Sequence, residues 1–136
     1  MAPANRLTLF EGERASVWYY PKTKIVHHQF RAFVFGDEFR NVLMKGLEAF
    51  EKYGASKWLS DDRGNTAVAT EDRDWAETSW TPRVMAAGWK HWALVMPAKM
   101  VGQMSMGRAI KMFAERGITV RTFPDPDEAM AWRESE

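Results

Sequence analysis

The chain has 136 residues, 46% of them apolar and 27% charged, the balance of an ordinary soluble globular domain with a substantial core. Nineteen basic residues against eighteen acidic leave +1, and the basic ones never form a run, so nothing points to nucleic acid or an anionic membrane. No cysteine is present, which excludes thiol catalysis, disulfides and cysteine-ligated metal.

The first thirty residues read as extended. "RLTLFE" (6–11) alternates Leu7 and Leu9 against Thr8 and Phe10, and Gly12 supplies a turn. "ASVWYY" (15–20), the turn "PKTK" (21–24) and "IVHHQF" (25–30) complete a predicted antiparallel meander of three short strands. The period then changes. Phe39, Val42, Leu43, Leu47 and Phe50 share one helical face, with Asp37 as the expected N-cap and Gly54 as the stop. "SKWLSD" (56–61) is a short strand and "DDRGNTAVAT" a polar loop.

Thr70 is expected to cap the next helix, with Glu71 and Asp72 in the first turn, where the macrodipole favours acids. That helix carries "DWAETSWTPRVMAAG". Pro82 lies inside it and requires a kink or two shorter helices, because proline removes a ladder bond and clashes with the preceding turn. "KHWALVMP" (90–97) is apolar nearly throughout, as suits a strand covered on both faces. A methionine-rich helix over 98–116 ends at Gly117, and "ITVRTF" (118–123) is a strand. In "DPDEAMAW" (125–132), Asp125 as N-cap, Pro126 at the first position and Glu128 at the third agree on a helix start.

The order β-β-β-α-β-α-β-α-β-α predicts a single α/β domain over 1–136: an N-terminal antiparallel meander leading into a mixed, largely parallel sheet with right-handed crossovers. "MAPANR" lacks the apolar core of a signal peptide. The longest apolar run, "WALVMPA", is far shorter than the ~20 residues that cross a bilayer. A cytoplasmic protein without membrane insertion is the expectation.

From the "PKTKIVHHQF" hairpin onward the chain resembles the small bacterial STAS-like proteins of the SpoIIAA-like fold, a group often labelled together with the CRAL-TRIO lipid-binding proteins. The resemblance rests on "YGASKWLSDDRG", "DWAETSWTPRVMAAGWKHWALVMP" and "VRTFPDPDEAMAW". It implies a SpoIIAA-like fold. STAS domains that antagonise anti-sigma factors carry a phosphorylatable serine or threonine after an aspartate at a helix N-terminus. Here "LSDDRGNTAVATEDRD" stands in that place without the usual string. Phosphate on Ser60 would face Asp61 and Asp62, and on Thr70 it would face Glu71 and Asp72, so like charges oppose such a switch.

Asp61, Asp62, Asp72 and Asp74, interleaved with Arg63 and Arg73, form the one acidic concentration. The topology places it at the carboxyl edge of the sheet, where α/β folds bind ligands. It reads either as a hard-cation or phosphate-linked site, or as caps and a self-neutralising solvated loop. The second reading is favoured because no metal-ligand spacing occurs, and no metal or cofactor is expected. His27 and His28 are adjacent in a strand, point to opposite faces and cannot share one metal; His91 stands apart at a strand start. Nucleophile elbow, Walker loop and dinucleotide fingerprint are all missing, so no catalytic residue is assigned.

On the methionine-rich helix, Met106, Phe113 and Ala114 flank Ile110 on a core-facing stripe, while Val101, Met104 and Met112 fall on the far side as a candidate interface. Four of the seven tryptophans lie within residues 74–92. Trp80 follows a helical stripe with Val84 and Ala87, and Trp92 shares a strand face with Leu94 and Met96. Trp89 follows Gly88 and is expected to cover a sheet edge. Trp75, about 140° from Trp80 at ~100° per residue, is off that stripe unless Pro82 changes the register.

These features predict a non-enzymatic binding or regulatory module acting through self-association or another protein, with Trp75, Trp80, Asp61, Asp62, Arg63 and Asp72 as candidate binding residues. A carrier of a small apolar, lipid-like ligand is the alternative, in the manner the CRAL-TRIO resemblance implies. An enzyme using the acidic loop 61–74 is the third reading.

Overall fold

A computed structural model of the chain describes residues 6–64, 68–96 and 100–135; side chains 100–102, 104, 105 and 133–135 fall outside that description. Six strands, β1 (Leu7–Glu11), β2 (Ala15–Tyr20), β3 (Ile25–Phe30), β4 (Lys57–Asp61), β5 (His91–Val95) and β6 (Thr119–Phe123), make one sheet in the order β1-β2-β3-β4-β5-β6. The pairs β1–β2 and β2–β3 are antiparallel, and the pairs from β3 to β6 are parallel. The α/β class and the meander followed by parallel strands agree with the sequence expectation.

The sequential order has a consequence for the layers. Each parallel crossover moves one strand in the same direction, so right-handed connections put every crossover helix on the same face. That face carries α1 (Gly36–Tyr53), the run α2 (Thr70–Trp75), a π-helical turn (Ala76–Trp80) and α3 (Thr81–Ala86), and then α4 (Met100–Glu115). The last helix, α5 (Pro126–Ser135), follows β6 and packs on β4, β5 and β6 from the opposite side. The sheet therefore has a thick helical face and a thin one.

Side-chain alternation sorts residues between the two. Val26, Phe30, Trp58, Trp92 and Leu94 enter the large core beneath the crossover helices, whereas Ile25, Leu59, Ala93 and Val95 join the small core with Ala129 of α5. His27 and His28 separate as expected, and Trp92, Leu94 and Met96 share the thick face.

Local corrections concern helix ends. Phe35, not Asp37, is the N-cap of α1, and Ala69, not Thr70, that of α2; neither makes a side-chain cap bond. Capping comes instead from a distance: Asp72 Oδ2 accepts the Gly36 N–H at 2.8 Å, tying α2 to the start of α1. At Pro82 the expectation of two shorter helices holds: α2 and α3 are distinct, and Pro82 sits in the first turn of α3, where its missing N–H costs little. The chain widens just before it into a π turn, in which the Thr81 N–H reaches the Ala76 carbonyl. The Thr78 hydroxyl donates to the Asp74 carbonyl at 2.9 Å within that turn.

Two helices end in Schellman motifs. After α3, the Gly88 N–H bonds Met85 O and the Trp89 N–H bonds Val84 O; after α4, Gly117 bonds Ala114 O and Ile118 bonds Phe113 O. Gly88 (φ 105°) and Gly117 (φ 94°) supply the left-handed residue each motif requires. The residue after each glycine turns back onto its own helix, which buries Trp89 and Ile118. Trp89 thus sits inside the core rather than over a sheet edge.

At the start of α5 the sequence reading holds, since the Glu128 N–H donates to Asp125 Oδ1 at 2.9 Å. Asp125→Ala is expected to lower stability by about 1 kcal/mol. Urea denaturation followed by circular dichroism measures it, and an unchanged midpoint would show that the cap carries no weight.

Candidate functional site

The layer between the sheet and the crossover helices is not filled. A cavity of about 360 Å³ lies there, at the small end of the ~300–1,000 Å³ typical of small-molecule sites. Phe39 and Leu43 of α1 form one side, and Ala76, Trp80 and Thr81 of the π turn and its exit form the roof. Met106, Ala109, Met112 and Phe113 of α4 close the far side. Its sheet wall is His28 and Phe30 from β3, Trp58 and Ser60 from β4, Asp62 just beyond it, and Trp92 from β5. Arg73, Glu77 and Arg108 are its exposed lining residues and mark the rim.

Tryptophans give the cavity its shape. Trp58 meets Trp80 edge-on (5.4 Å between centroids, 88°), Trp80 meets Trp89 at 5.8 Å, and Trp89 meets Trp92 at 5.7 Å. Phe113 stands edge-on to Trp92 at 5.6 Å. Edge-to-face contacts hold large rings rigidly at low entropic cost, so the wall is preformed. Gly46 permits this arrangement: a Cβ there would overlap the Trp58 ring.

Their N–H groups are all committed. Trp80 donates to the Leu43 carbonyl (2.8 Å) and Trp89 to the His91 carbonyl (3.0 Å). Trp92 donates to Ser60 Oγ (2.8 Å), and Trp58 donates to His28 Nδ1 (2.8 Å). The last bond fixes a tautomer. Indole N–H is donor only, so Nδ1 offers its lone pair and the imidazole proton sits on Nε2. Nε2–H then donates to Asp62 Oδ1 at 2.7 Å, a buried charge-assisted bond. With both ring nitrogens engaged, His28 has no lone pair left for a Ser60 proton, although the two residues are register partners.

The acidic loop is dispersed by the fold. Asp62 faces the cavity, but Asp61 points to the opposite face of the sheet and forms a two-point pair with Arg63 (2.9 and 3.0 Å). Hydrogen bonding to Asp61 raises the Arg63 pKa above its ordinary value, against a smaller opposing effect of burial. Asp72 is occupied by Gly36 and by Arg40 Nε at 3.3 Å. Among the described residues, no cluster of three His, Asp or Glu side chains is placed to hold a metal ion. Ser60 is buried.

Of the sequence candidates, then, Trp80, Asp62 and Met112 meet at the cavity, while Asp61, Arg63 and Asp72 do not. Trp75 is half-buried on the large core with the Arg40 guanidinium 5.3 Å above its ring, outside the cavity lining. The π turn provides the change of register that an ordinary helix would not, bringing Trp75 and Trp80 toward one side of the rod. Met112 turns toward the cavity and packs on the core instead of forming a second outer stripe; the Val101 and Met104 side chains lie outside the described residues. His28, Trp58 and Ser60 escaped sequence reasoning as site residues. Their strand alternation was legible, but not the parallel register that aligns them.

The chain matches no protein-family model, no curated protein and no solved structure. Among the described residues no helix is long and apolar enough to cross a membrane.

Proposed function

We propose that this chain is a small-molecule binding protein that holds an apolar ligand in the aromatic cavity, and that this carrier role takes precedence over protein–protein recognition. The observation that supports the reading is the space itself. Cores normally fill to crystal-like density, and a void of this size lined by rings forfeits dispersion contacts that a ligand would restore. Two cavity-lining methionines, Met106 and Met112, add a wall able to repack around different shapes. The rigid side is the tryptophan cluster and the adaptable side is α4. A SpoIIAA-like classification and a cytoplasmic setting are part of the same proposal, supported by the strand order and by the resemblance in the sequence. Enzymatic use of the acidic loop has less support, since its carboxylates diverge.

The test is direct. An organic extract of the purified protein is expected to contain an apolar compound by mass spectrometry. Naphthalene derivatives added to ligand-stripped protein are expected to quench or shift tryptophan emission, because four indoles border the site. Ala109→Phe fills the cavity from α4 and is expected to weaken probe binding at least tenfold while keeping the melting temperature within a few degrees. Wild-type protein that yields an empty extract and an unresponsive emission spectrum would refute the proposal.

A further inference from the structure

The donors and acceptors around the cavity are not balanced, and that imbalance specifies the polar end of the ligand. Trp58 has given its N–H to His28, His28 its N–H to Asp62, and Trp92 its N–H to Ser60. Trp80 and Trp89 have given theirs to backbone carbonyls. An indole has no other polar hydrogen, and His28 has used both nitrogens. What the sheet wall retains is mostly acceptor capacity. A carboxylate has about four lone-pair sites, and among the described residues Asp62 accepts one side-chain hydrogen bond, from His28. Ser60 Oγ keeps a second lone pair after receiving the Trp92 N–H, and its hydroxyl hydrogen is the wall's one remaining side-chain donor.

Resting on the small-molecule reading above, we infer that the ligand is an apolar amine, bound as its ammonium with the head group on Asp62 and Ser60 and the body among the tryptophans. An ammonium is a donor without acceptors, the complement of this wall. Ring faces attract cations further, most strongly those of tryptophan. A carboxylic acid fits poorly, because inside the cavity it would find the Asp62 carboxylate and, as buried side-chain donors, only the Ser60 and Thr81 hydroxyls. Arg73 and Arg108 at the rim do offer positive charge, but both are exposed, and solvent screens them. Asp62 is withdrawn from water at 1% exposure, where each charge interaction is stronger. Glu77 on the same rim offsets part of the arginine field.

Three probes that share a body and differ in head group decide the matter: naphthylmethylamine, naphthylmethanol and naphthoic acid, titrated into the full-length chain by calorimetry. The amine is expected to bind roughly ten- to a hundredfold more tightly than the alcohol, the acid most weakly. The preference is expected to survive high salt, since Asp62 is out of the solvent. In Asp62→Asn, which still accepts from His28, the amine is expected to lose its advantage and bind no more tightly than the alcohol does to the same variant. Equal binding of all three, a preference for the acid, or an amine preference that persists in Asp62→Asn overturns the amine assignment and leaves the apolar carrier intact. If none of the three binds, the carrier reading falls and the assignment with it. Should Asp62→Asn not fold, the wild-type series alone settles the head group.

Discussion

Trp58→Ala is expected to lower the unfolding free energy by about 3–5 kcal/mol. The residue is among the largest fully buried side chains, with Phe50 stacked on one side at 5.9 Å and Trp80 edge-on at the other. Truncation removes a transfer term, and it also enlarges an existing cavity that the rigid rings around it cannot close. A second cost is polar: His28 Nδ1 loses its donor in a buried site. Trp58→Phe separates the two costs, keeping most of the ring volume while orphaning the nitrogen, and is expected to cost about 1–3 kcal/mol. Gly46→Ala attacks the same contact from α1 by overpacking, at about 1–3 kcal/mol, because the added methyl overlaps the Trp58 ring. Urea melts of the three variants measure these values. A Trp58→Ala midpoint within error of wild type would mean that the ring cluster does not organise the core.

The consequences of Trp58 extend from stability to binding. One indole fills the centre of the large core, forms a cavity wall and fixes the His28 tautomer that presents Asp62 as an acceptor. Removing it is therefore expected to alter ligand preference as well as the melt.

Sequence and structure agree where the information is local. A period of two or 3.6 is written in a handful of consecutive residues, so all six strands and the α1 face were legible, as was the Asp125 cap. Trp89 shows where local reading fell short although the signal was there. A glycine at the helix end followed at once by a large apolar residue is the signature of a Schellman motif, and it turns Trp89 inward. Pro82 shows the opposite case. Its cost to an α-helix is certain from sequence, but a kink and two shorter helices both meet it, and the structure has two short helices joined by a π turn that no sequence signal announced. The site was the least legible. His28, Ser60 and Asp62 are brought together by parallel register between β3 and β4, a pairing across more than thirty residues that no local pattern encodes. The acidic run is dispersed for a related reason. Neighbours in a strand face opposite ways, so Asp61 and Asp62 belong to different sides of the protein.

Acid is expected to destabilise the fold through His27, on the thin face of the sheet. Its ring lies against Trp18 at 4.9 Å and near Tyr20, and its Nε2 is buried with no hydrogen-bond partner among the described residues. Burial lowers its pKa to about 3; His28 and Arg6 push the same way, and Asp61 opposes them. In the unfolded chain the imidazole returns to about 6.5. The folded pKa is thus the depressed one, so the native state favours neutral imidazole and the contribution is fully present above about pH 6.5. As pH falls below that value, the unfolded state takes up a proton that the native state refuses. Stability then drops by up to about 1.4 kcal/mol per pH unit toward pH 3. Carboxylates also titrate in this window, so the informative quantity is a difference between proteins. His27→Phe keeps a flat ring against Trp18 and removes both the titration and the orphaned nitrogen. At pH 7.5 it is expected to be within about 1 kcal/mol of wild type, since it loses only a long 3.4 Å contact to Tyr20. At pH 5 it is expected to be more stable than wild type by about 1–2 kcal/mol, and the gap widens with further acid. Paired urea melts across this range test the sign as well as the size. Parallel stability curves for the two proteins would place the His27 imidazole in water, and the thin face would then be open where the structure shows it closed.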